Sequence, residues 1–468
     1  MNTNTLLRRN GYSPNTVSNF QRVARRAAQL AKQPGATAES VMAQIAIEFR
    51  KEEVVTMHEK PQPYTMYGTP GIDFDYGVVQ QMNQVSRLPV YASGAVLPDA
   101  HTGYALPIGG VAALHRAVSP YGVGVDIACR MCLTIFEDLT PAELRDNRSQ
   151  LFDDLIAETR FGFGDFAKNR RKHPVMEEPL WQDRSLPLHK FVGKAADQLG
   201  SSGGGNHFAD LVRGKVVNTV DWLPLPVGAE FTALLTHSGS RGVGYKMAKH
   251  YSHVAHQRTS FIARGIPKEY SWLSIDEDAG REYLEVMRLM GRYAQANHHL
   301  IHAHFLNRTG LSALPVTGTD VKLLHPYTRF SVIENHHNFA WVEDDLVIHR
   351  KGATPAGKGV AGLIPGSSGT ASYIVNGLGN RDSLESTSHG AGRPFSRTEA
   401  KRRHDPAFFE DWMTQHDIAY HGVAADETLM AYKDIDTVIG LQAGVLVDVV
   451  AEMFPVAVRM GGKSDDGD

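Results

Sequence analysis

From residue 65 onward, short β-branched or aromatic runs alternate with clusters of glycine. The runs predict strands at 110–114, 123–127, 231–235 and 346–349, and the glycine clusters lie at 203–205, 239–244 and 352–379. Helical periodicity extends over residues 140–157, 244–263, 279–307 and 434–453. Strands and helices do not alternate regularly, and no repeat recurs. The pattern therefore predicts one large α+β domain over residues 65–464, with mixed β-sheets surrounded by helices.

A separate helical segment precedes this domain. Residues 15–32 and 38–53 each place apolar side chains on one helical face, and a Gln-Pro-Gly break lies between them. We therefore expect a small N-terminal helical hairpin within residues 1–64. The segment is rich in arginine, and its first acidic residue is Glu39. An organelle transit peptide has this composition too, but the presence of a partner helix favours a folded basic helix.

Composition excludes several classes of protein. The 468 residues carry a net charge of −3, with 42% hydrophobic and 21% charged residues, which is ordinary for a globular chain and excludes a mostly disordered one. Two cysteines exclude a disulfide scaffold and predict a reducing, cytoplasmic setting. The most apolar stretch, 438–458, contains charged residues, so it predicts a buried amphipathic helix and no membrane span.

Histidine is the unusual residue, with 22 copies against two cysteines. Glycine-rich turns carry His207, His237 and His389, and the last of these is followed by Arg393. Histidine beside arginine in such a turn suits phosphate chemistry, because backbone amides and guanidinium groups bind phosphate oxygens. Asp126 and Cys129 could share a metal ion, although these two residues alone favour an ordinary buried turn.

Three other patterns are weaker. Gly352 to Lys358 nearly spells a phosphate-binding P-loop, but glycine follows where serine or threonine would hold Mg²⁺. Residues 239–244 lack the spacing of a dinucleotide-binding motif. His298 and His302 share one helical face and could bind a metal, but a polar helix face is the favoured interpretation.

Taken in order, the motifs resemble those of the RtcB family of RNA ligases. The resemblance covers about residues 66–460 and leaves the N-terminal hairpin outside. The matching segments are 96–103, 122–129, 203–208, 237–242, 336–338, 349–354, 362–401 and 431–436.

The resemblance implies a reaction. The family joins RNA ending in a 3′-phosphate or 2′,3′-cyclic phosphate to RNA with a 5′-hydroxyl, in RNA repair or tRNA splicing, using GTP and two Mn²⁺ ions. A histidine forms a covalent guanylate, and that residue maps to His389. The implied metal ligands are Asp126, Cys129, His207, His237 and His337.

The resemblance also implies binding residues. Lys351 and Arg397 would hold phosphates of the nucleotide or RNA. The nucleotide-contacting set maps to Asn206, Phe208, Asp210, Ser367, Ser372, Gly390, Ala391, Gly392, Arg393 and Tyr432. Family members commonly carry glutamate where this chain has Asp210, and a guanine-contacting lysine maps ambiguously near Arg459 and Lys463. These departures suggest a divergent paralogue whose nucleotide preference and natural RNA could differ.

Two other functions compete with ligation. A Mn²⁺-dependent phosphoesterase that opens cyclic phosphates would keep the metal ligands without needing His389. An RNA-end-binding factor would use residues 8–32 as a basic arm and need no chemistry. The presence of both the ligand set and the nucleophile favours ligation, and the need for an activating protein partner stays open.

Overall fold

A computed structural model describes residues 2–13, 17, 20–49, 55–162, 166–263, 265–317, 320–321 and 330–462. The described helices are α1 Thr3–Arg9, α2 Phe20–Leu30, α3 Ala38–Glu48, α4 Tyr76–Ser86, α5 Pro120–Val123, α6 Pro141–Asp146, α7 Arg148–Glu158, α8 Val192–Gln198, α9 Arg241–Ile262, α10 Asp278–Thr309, α11 Arg397–Arg403, α12 Pro406–Gln415 and α13 Ile435–Gly440. The described strands are β1 Thr65–Met66, β2 Tyr91–His101, β3 Ile108–His115, β4 Ala117–Val118, β5 Arg130–Ile135, β6 Phe208–Val216, β7 Glu230–Ser238, β8 Leu273–Ser274, β9 Asp320–Val321, β10 Phe330–Ser331, β11 Ile333–His336, β12 Phe339–Glu343, β13 Leu346–Lys351, β14 Ala353–Pro355, β15 Ala361–Ile364, β16 Ser372–Gly377, β17 Ser386–Ser388, β18 Ala419–His421 and β19 Val447–Met460.

The N-terminal helices pack around an apolar cluster of their own. Leu7 of α1, Val23 and Ala27 of α2, and Ile45 of α3 are among its buried members. Helix α3 begins with a capping box formed by Thr37 and Ser40, which satisfies free backbone donors at its start. The predicted pair of helices is therefore joined by a third, α1, which the periodicity did not indicate.

Two sheets form the centre of the large domain. One has the strand order β1-β2-β3-β13-β12. The other has the order β11-β5-β7-β6-β19-β16-β15, with β18 beside β19. The ends of this second sheet approach each other, since the Asn335 amide of β11 donates to the Leu363 carbonyl of β15 at 3.2 Å. The predicted α+β class, with mixed sheets, is confirmed.

Apolar side chains fill the nearly closed sheet, among them Leu133, Leu235 and Met453. Helix α10 packs over the outer side of β5 and β7, and α9 packs against α10 in a second cluster that includes Met247 and Tyr293. Strands β5 and β7 therefore have one face toward the interior and one toward α10. No helix within the described ranges is long and apolar enough to cross a membrane.

Two sequence-based elements are wrong. Residues 434–453 were expected to be helical, but only α13 is helical there and the apolar run continues as β19. Most side chains of this strand are buried, and those of its second half pack into two different apolar clusters, so its apolar pattern does not show the alternation of a half-exposed strand. Residues 123–127 were expected to form a strand, but α5 ends at Val123, where Gly124 with φ 105° stops it.

Candidate active site

The histidines singled out by their glycine-rich turns lie at strand ends that meet in one place. His207 directly precedes β6, His237 is the penultimate residue of β7, and His337 directly follows β11. Asp126 and Cys129 lie in the loop that enters β5. Because β11, β5, β7 and β6 are consecutive neighbours in the sheet, these side chains converge although more than 200 residues separate the first from the last.

The ring nitrogens and the thiol of this group face one another. Cys129 Sγ lies 3.0 Å from His237 Nε2 and 3.4 Å from His207 Nε2. His237 Nε2 is also 3.4 Å from His337 Nε2. Since His237 donates its Nδ1 proton to the Asn206 carbonyl at 3.0 Å, its Nε2 presents a lone pair to the cluster. His207 Nε2 lies 3.2 Å from an oxygen of Asp126.

Charges in this cluster favour a cation. Burial raises the pKa of the Cys129 thiol, and the carboxylate of Asp126 raises it further. Burial also lowers the pKa of His237 to about 3, so its ring stays neutral. A buried thiol beside a carboxylate and uncharged imidazoles becomes a thiolate only when a metal ion compensates its charge. Cys129, His207 and His237 lie close enough to hold one.

His389 lies beside the cluster and is fixed by a buried carboxylate. Its ring centroid is 4.8 Å from that of His337. One oxygen of Asp99 accepts hydrogen bonds from His389 Nδ1 at 2.6 Å and from its backbone N–H at 3.1 Å. Burial opposes the charge of Asp99, but these bonds and the nearby Lys433 outweigh it and hold the pKa below its ordinary value. The Nδ1 proton is thus committed to Asp99, and Nε2 keeps a lone pair.

Two glycines allow the chain to approach the site closely. Gly392 has φ 73°, and a Cβ there would lie 2.1 Å from the carbonyl oxygen of Asp99. A Cβ on Gly239 would lie 2.4 Å from a carboxylate oxygen of Asp126. Any side chain at either position would displace a residue of the site, so both turns require glycine.

The expected phosphate-binding arginines are paired with a buried acid. Glu427, which is 1% exposed, accepts from Arg393 at 2.5 Å and from Arg397 at 2.8 Å. The guanidinium of Arg393 also lies 4.6 Å from the ring centre of Tyr432, whose hydroxyl donates to Glu427. These side chains form one ionic cluster next to the turn that carries His389. Asp426 adds a second carboxylate, 3.3 Å from Arg397.

The other expected contacts lie in loops or strand ends around this region. Lys351 is buried and donates to the carbonyls of Tyr104 and Tyr121, and burial lowers its pKa to about 7. Ser367 Oγ lies 2.9 Å from the hydroxyl of Thr370, and Ser372 accepts from the Gly366 N–H at 3.2 Å. Gly390, Ala391 and Gly392 form the turn between His389 and Arg393.

The segment after His207 contributes an aromatic face. The ring of Phe208 lies 5.7 Å from that of His237. Asp210, two residues further along β6, is buried, and this burial raises the pKa of its carboxyl. It accepts from the backbone N–H of Arg459 at 3.3 Å. Lys463, the other candidate for the guanine-contacting lysine, lies outside the described residues.

Sequence reasoning missed two residues and misplaced two others. Asp99 lies within a matching motif but received no role, and its pairing with His389 spans 290 positions. Glu427 lies outside every motif, so no local signal marked it. His298 and His302 were expected on a polar helix face, but both are fully buried, because Thr236 and Thr134 supply hydrogen-bond partners.

Comparison with known proteins shows which family this sequence belongs to. The sequence profile described as tRNA-splicing ligase RtcB matches residues 81–461. A tRNA-splicing ligase RtcB from Thermococcus kodakarensis is 29% identical over 448 residues, covering 82% of this chain and 91% of the relative. The RNA-splicing ligase RtcB of Escherichia coli is 28% identical over 416 residues, covering 84% and 96%. The RNA-splicing ligase RtcB of Mycobacterium bovis is 28% identical over 444 residues, covering 81% and 100%. The match spans most of the chain, including every strand that carries the clustered histidines, so this protein belongs to the tRNA-splicing ligase RtcB family.

Proposed function

We propose that this protein is an RNA ligase that joins a 3′-phosphate or 2′,3′-cyclic phosphate end to a 5′-hydroxyl end, with GTP as co-substrate. His389 Nε2 attacks the α-phosphorus of GTP, so that a nitrogen–phosphorus bond forms as pyrophosphate leaves. Where the RNA ends in a cyclic phosphate, water first opens it to a 3′-phosphate. An oxygen of the RNA 3′-phosphate then attacks the guanylate phosphorus, and the bond to His389 breaks. Finally the 5′-hydroxyl oxygen attacks that phosphate, and GMP is released.

The observation that carries this proposal is the fixed ring of His389 beside the cysteine–histidine cluster. Asp99 holds the Nδ1 proton at 2.6 Å, and His337 lies next to the same ring with its centroid 4.8 Å away. A phosphoesterase that only opens cyclic phosphates has no need for a histidine held in this way. The buried carboxylate leaves Nε2 with the lone pair that nucleophilic attack on phosphorus requires.

Cys129, His207 and His237, together with Asp126 and His337, are the residues that would hold two Mn²⁺ ions. Their mixed sulfur, nitrogen and oxygen donors fit divalent transition metals, and Mn²⁺ would be selected by availability over tighter-binding ions. When bound, the ions would supply positive charge to phosphate oxygens during transfer. Cys129 must stay reduced for this role, which favours a reducing, cytoplasmic compartment.

We assign the remaining residues to substrate binding. Arg393, Arg397 and Lys351 are proposed to orient phosphates, with Glu427 keeping the two guanidinium groups in place until phosphate arrives. Asn206, Phe208, Asp210, Ser367, Ser372, Tyr432 and the turn from Gly390 to Gly392 are proposed to contact the nucleotide. The N-terminal helices of residues 1–64 are proposed to be an appendage to a catalytic domain of residues 65–464, because they bury an apolar cluster of their own.

Covalent labelling tests the proposal directly. Purified protein is incubated with Mn²⁺ and GTP labelled at the α-phosphate, with unlabelled ATP as competitor and His389→Ala as the matched variant. We expect acid-labile label on the wild type, no label on His389→Ala, and little competition by ATP.

A second assay separates the competing functions. Wild-type protein is given RNA ending in a 2′,3′-cyclic phosphate together with 5′-hydroxyl RNA. Joined product that depends on GTP supports ligation. Opening of the cyclic phosphate without label or joining would instead establish a phosphoesterase, and binding of RNA ends without either reaction would establish an end-binding factor.

A further inference from the structure

A second histidine cluster lies on the opposite side of β7 from the candidate active site. Successive residues of a strand point to opposite faces, so Thr236 faces helix α10 while His237 faces the site. Cys132 pairs with Thr236 across β5 and β7 and shares its face. Against this face, α10 presents His298 and His302, which are one helical turn apart and fully buried.

One arrangement of protons gives every ring nitrogen of this cluster a partner once His298 is neutral, although the Thr236 hydroxyl has a second, longer acceptor in the Cys132 carbonyl at 3.5 Å. His298 Nε2 lies 3.2 Å from the Ser238 carbonyl, so it must donate, and Nδ1 must then accept from the Thr236 hydroxyl at 2.7 Å. Having given its proton, Thr236 can only accept from His302 Nε2 at 2.8 Å. The remaining nitrogen, His302 Nδ1, then accepts from the Thr134 hydroxyl at 2.7 Å.

This chain of bonds distinguishes the cluster from a metal site. Cys132, His298 and His302 lie close enough to one another to suggest a ligand set. Yet all four ring nitrogens already have partners, whereas in the cluster of Cys129 the Nε2 atoms of His237 and His337 face each other across 3.4 Å. The second cluster therefore satisfies itself without an ion.

This series of hydrogen bonds ends on backbone atoms next to the candidate metal ligands. The Ser238 carbonyl, which accepts from His298, lies 3.4 Å from the sulfur of Cys129, and the thiol can donate to it only while no metal ion holds the cysteine as a thiolate. The neighbouring Asn297 donates to the Gly239 carbonyl at 3.0 Å and accepts from the Gly200 N–H at 2.9 Å. Helix α10 thus fixes the backbone that follows His237 and the loop that precedes the glycine turn of His207.

We infer that Thr134, His302, Thr236 and His298 form a positioning relay of hydrogen bonds that holds His237 and the 238–239 backbone in metal-binding geometry. This inference rests on the proposed function, since it takes Cys129 and His237 as metal ligands. The four residues are positioning residues that act through the strand and touch no substrate. Partners that orient metal ligands in this way typically change metal affinity about 10–100-fold when removed.

Cobalt binding tests this inference without ligation. Co²⁺ bound to a cysteine thiolate absorbs in the near ultraviolet, so titrating metal-free full-length protein reports the affinity of the Cys129 site. Thr236→Val keeps the shape and removes the hydroxyl, and we expect it to weaken Co²⁺ binding about 10-fold. Thr236→Ser restores the hydroxyl and should restore the affinity to within about twofold of wild type. His298→Leu should resemble Thr236→Val.

The same strand offers a matched control. Thr232 is also buried on β7, but its hydroxyl donates to the Leu139 carbonyl at 2.7 Å, away from α10. Thr232→Val should bind Co²⁺ like wild type, and urea unfolding of each metal-free variant shows whether a loss of affinity follows from unfolding. Thr134→Val removes only the far link and provides a milder second variant, expected to weaken binding about threefold.

Three results would overturn the inference. Equal Co²⁺ affinity for Thr236→Val and Thr232→Val would show that the relay does not act on the metal site. A third bound Co²⁺ equivalent that Cys132→Ser removes would show that the second cluster is itself a metal site. Absence of Co²⁺ binding by the wild type would overturn the proposed metal ligands, and this inference with them. Weaker Co²⁺ binding by Thr236→Val but not by Thr232→Val, together with normal Co²⁺ binding by the wild type, supports the relay.

Discussion

The bond between His389 and Asp99 makes a quantitative prediction for Asp99→Asn. The substitution keeps the shape of the side chain and replaces a charged acceptor with a neutral one at the 2.6 Å contact. Hydrogen bonds to charged groups contribute about 1.5–3 kcal/mol and neutral ones about 0.5–1.5 kcal/mol. The difference of about 1–2 kcal/mol corresponds to a rate about 5–30-fold lower for transfer of GMP to the enzyme.

The assay must separate chemistry from binding. Label from α-phosphate-labelled GTP is quenched at intervals under single-turnover conditions, across a range of nucleotide concentrations. The Asp99 carboxylate bonds to His389, and only the Asp99 backbone, which the substitution keeps, lies against Gly392. We therefore expect the maximal rate to fall while the half-saturating GTP concentration stays within about twofold. Asp99→Ala, which removes the acceptor altogether, should fall further.

A matched control lies one contact away. Lys433 donates to the carbonyls of Pro98 and Ala100 on either side of Asp99. Lys433→Met leaves the Asp99–His389 bond in place, so its maximal labelling rate should exceed that of Asp99→Asn. A labelling rate for Asp99→Asn equal to wild type would refute the assignment of Nδ1 to Asp99 and of Nε2 as the attacking atom.

Three further outcomes follow from the same geometry. Gly392→Ala forces a left-handed φ of 73° on alanine and places a Cβ 2.1 Å from the Asp99 carbonyl. Urea titration should show that the free energy of unfolding falls by at least about 2 kcal/mol, and an unchanged midpoint would contradict the requirement for glycine. Glu427→Gln removes the carboxylate from Arg393 and leaves Arg397 with Asp426 alone, so calorimetry should show a lower Tm that added GTP raises more than in wild type. Equal shifts in both proteins would argue against phosphate binding there. Burial lowers the pKa of His302 to about 3 and of His349 to about 4, below the ordinary 6.5, so the unfolded chain binds more protons and stability is lost as pH falls from 6.5 toward these values. Each ring should lower the free energy of unfolding of the metal-free protein by about 2 kcal/mol between pH 6.5 and pH 5. His349→Asn should therefore flatten the pH dependence of urea unfolding, and an unaltered slope would refute that contribution.

The sequence predicts elements best where local chemistry repeats. Strands β3, β7 and β13 and helices α9 and α10 follow from β-branched runs and helical periodicity. It fails for β19, because a strand covered on both faces has the same continuous apolar character as a buried helix. It fails for α5 because the residues around Val123 look β-prone, while Pro120 at the first helical position and Gly124 at its end decide the local conformation.

The residues of the candidate site also divide into those that the local sequence identifies and those that it does not. Glycine-rich turns carrying histidine identify His207, His237 and His389 locally, and the structure brings them together. The roles of these three histidines are proposals, whereas their proximity is an observation of the structure. Asp99 and Glu427 could not be found, since a buried acid has meaning only through a partner that lies elsewhere in the chain. That partner is His389 for Asp99, and it is the pair of arginines for Glu427.

Two clusters built from the same residue types lie on the two faces of β7, and hydrogen-bond polarity separates them. On the inner face, the Nδ1 proton of His237 goes to a carbonyl, and Nε2 faces the thiol of Cys129 at 3.0 Å, where a cation could replace the thiol proton. On the outer face, hydroxyl groups alternate with imidazoles, and every donor meets an acceptor. The first arrangement leaves lone pairs for an ion, and the second supplies rigidity. In the proposed relay, apolar side chains on the outer face would leave the carbonyl of Ser238 with one partner fewer, so the buried histidines of α10 would support the site without taking part in its chemistry.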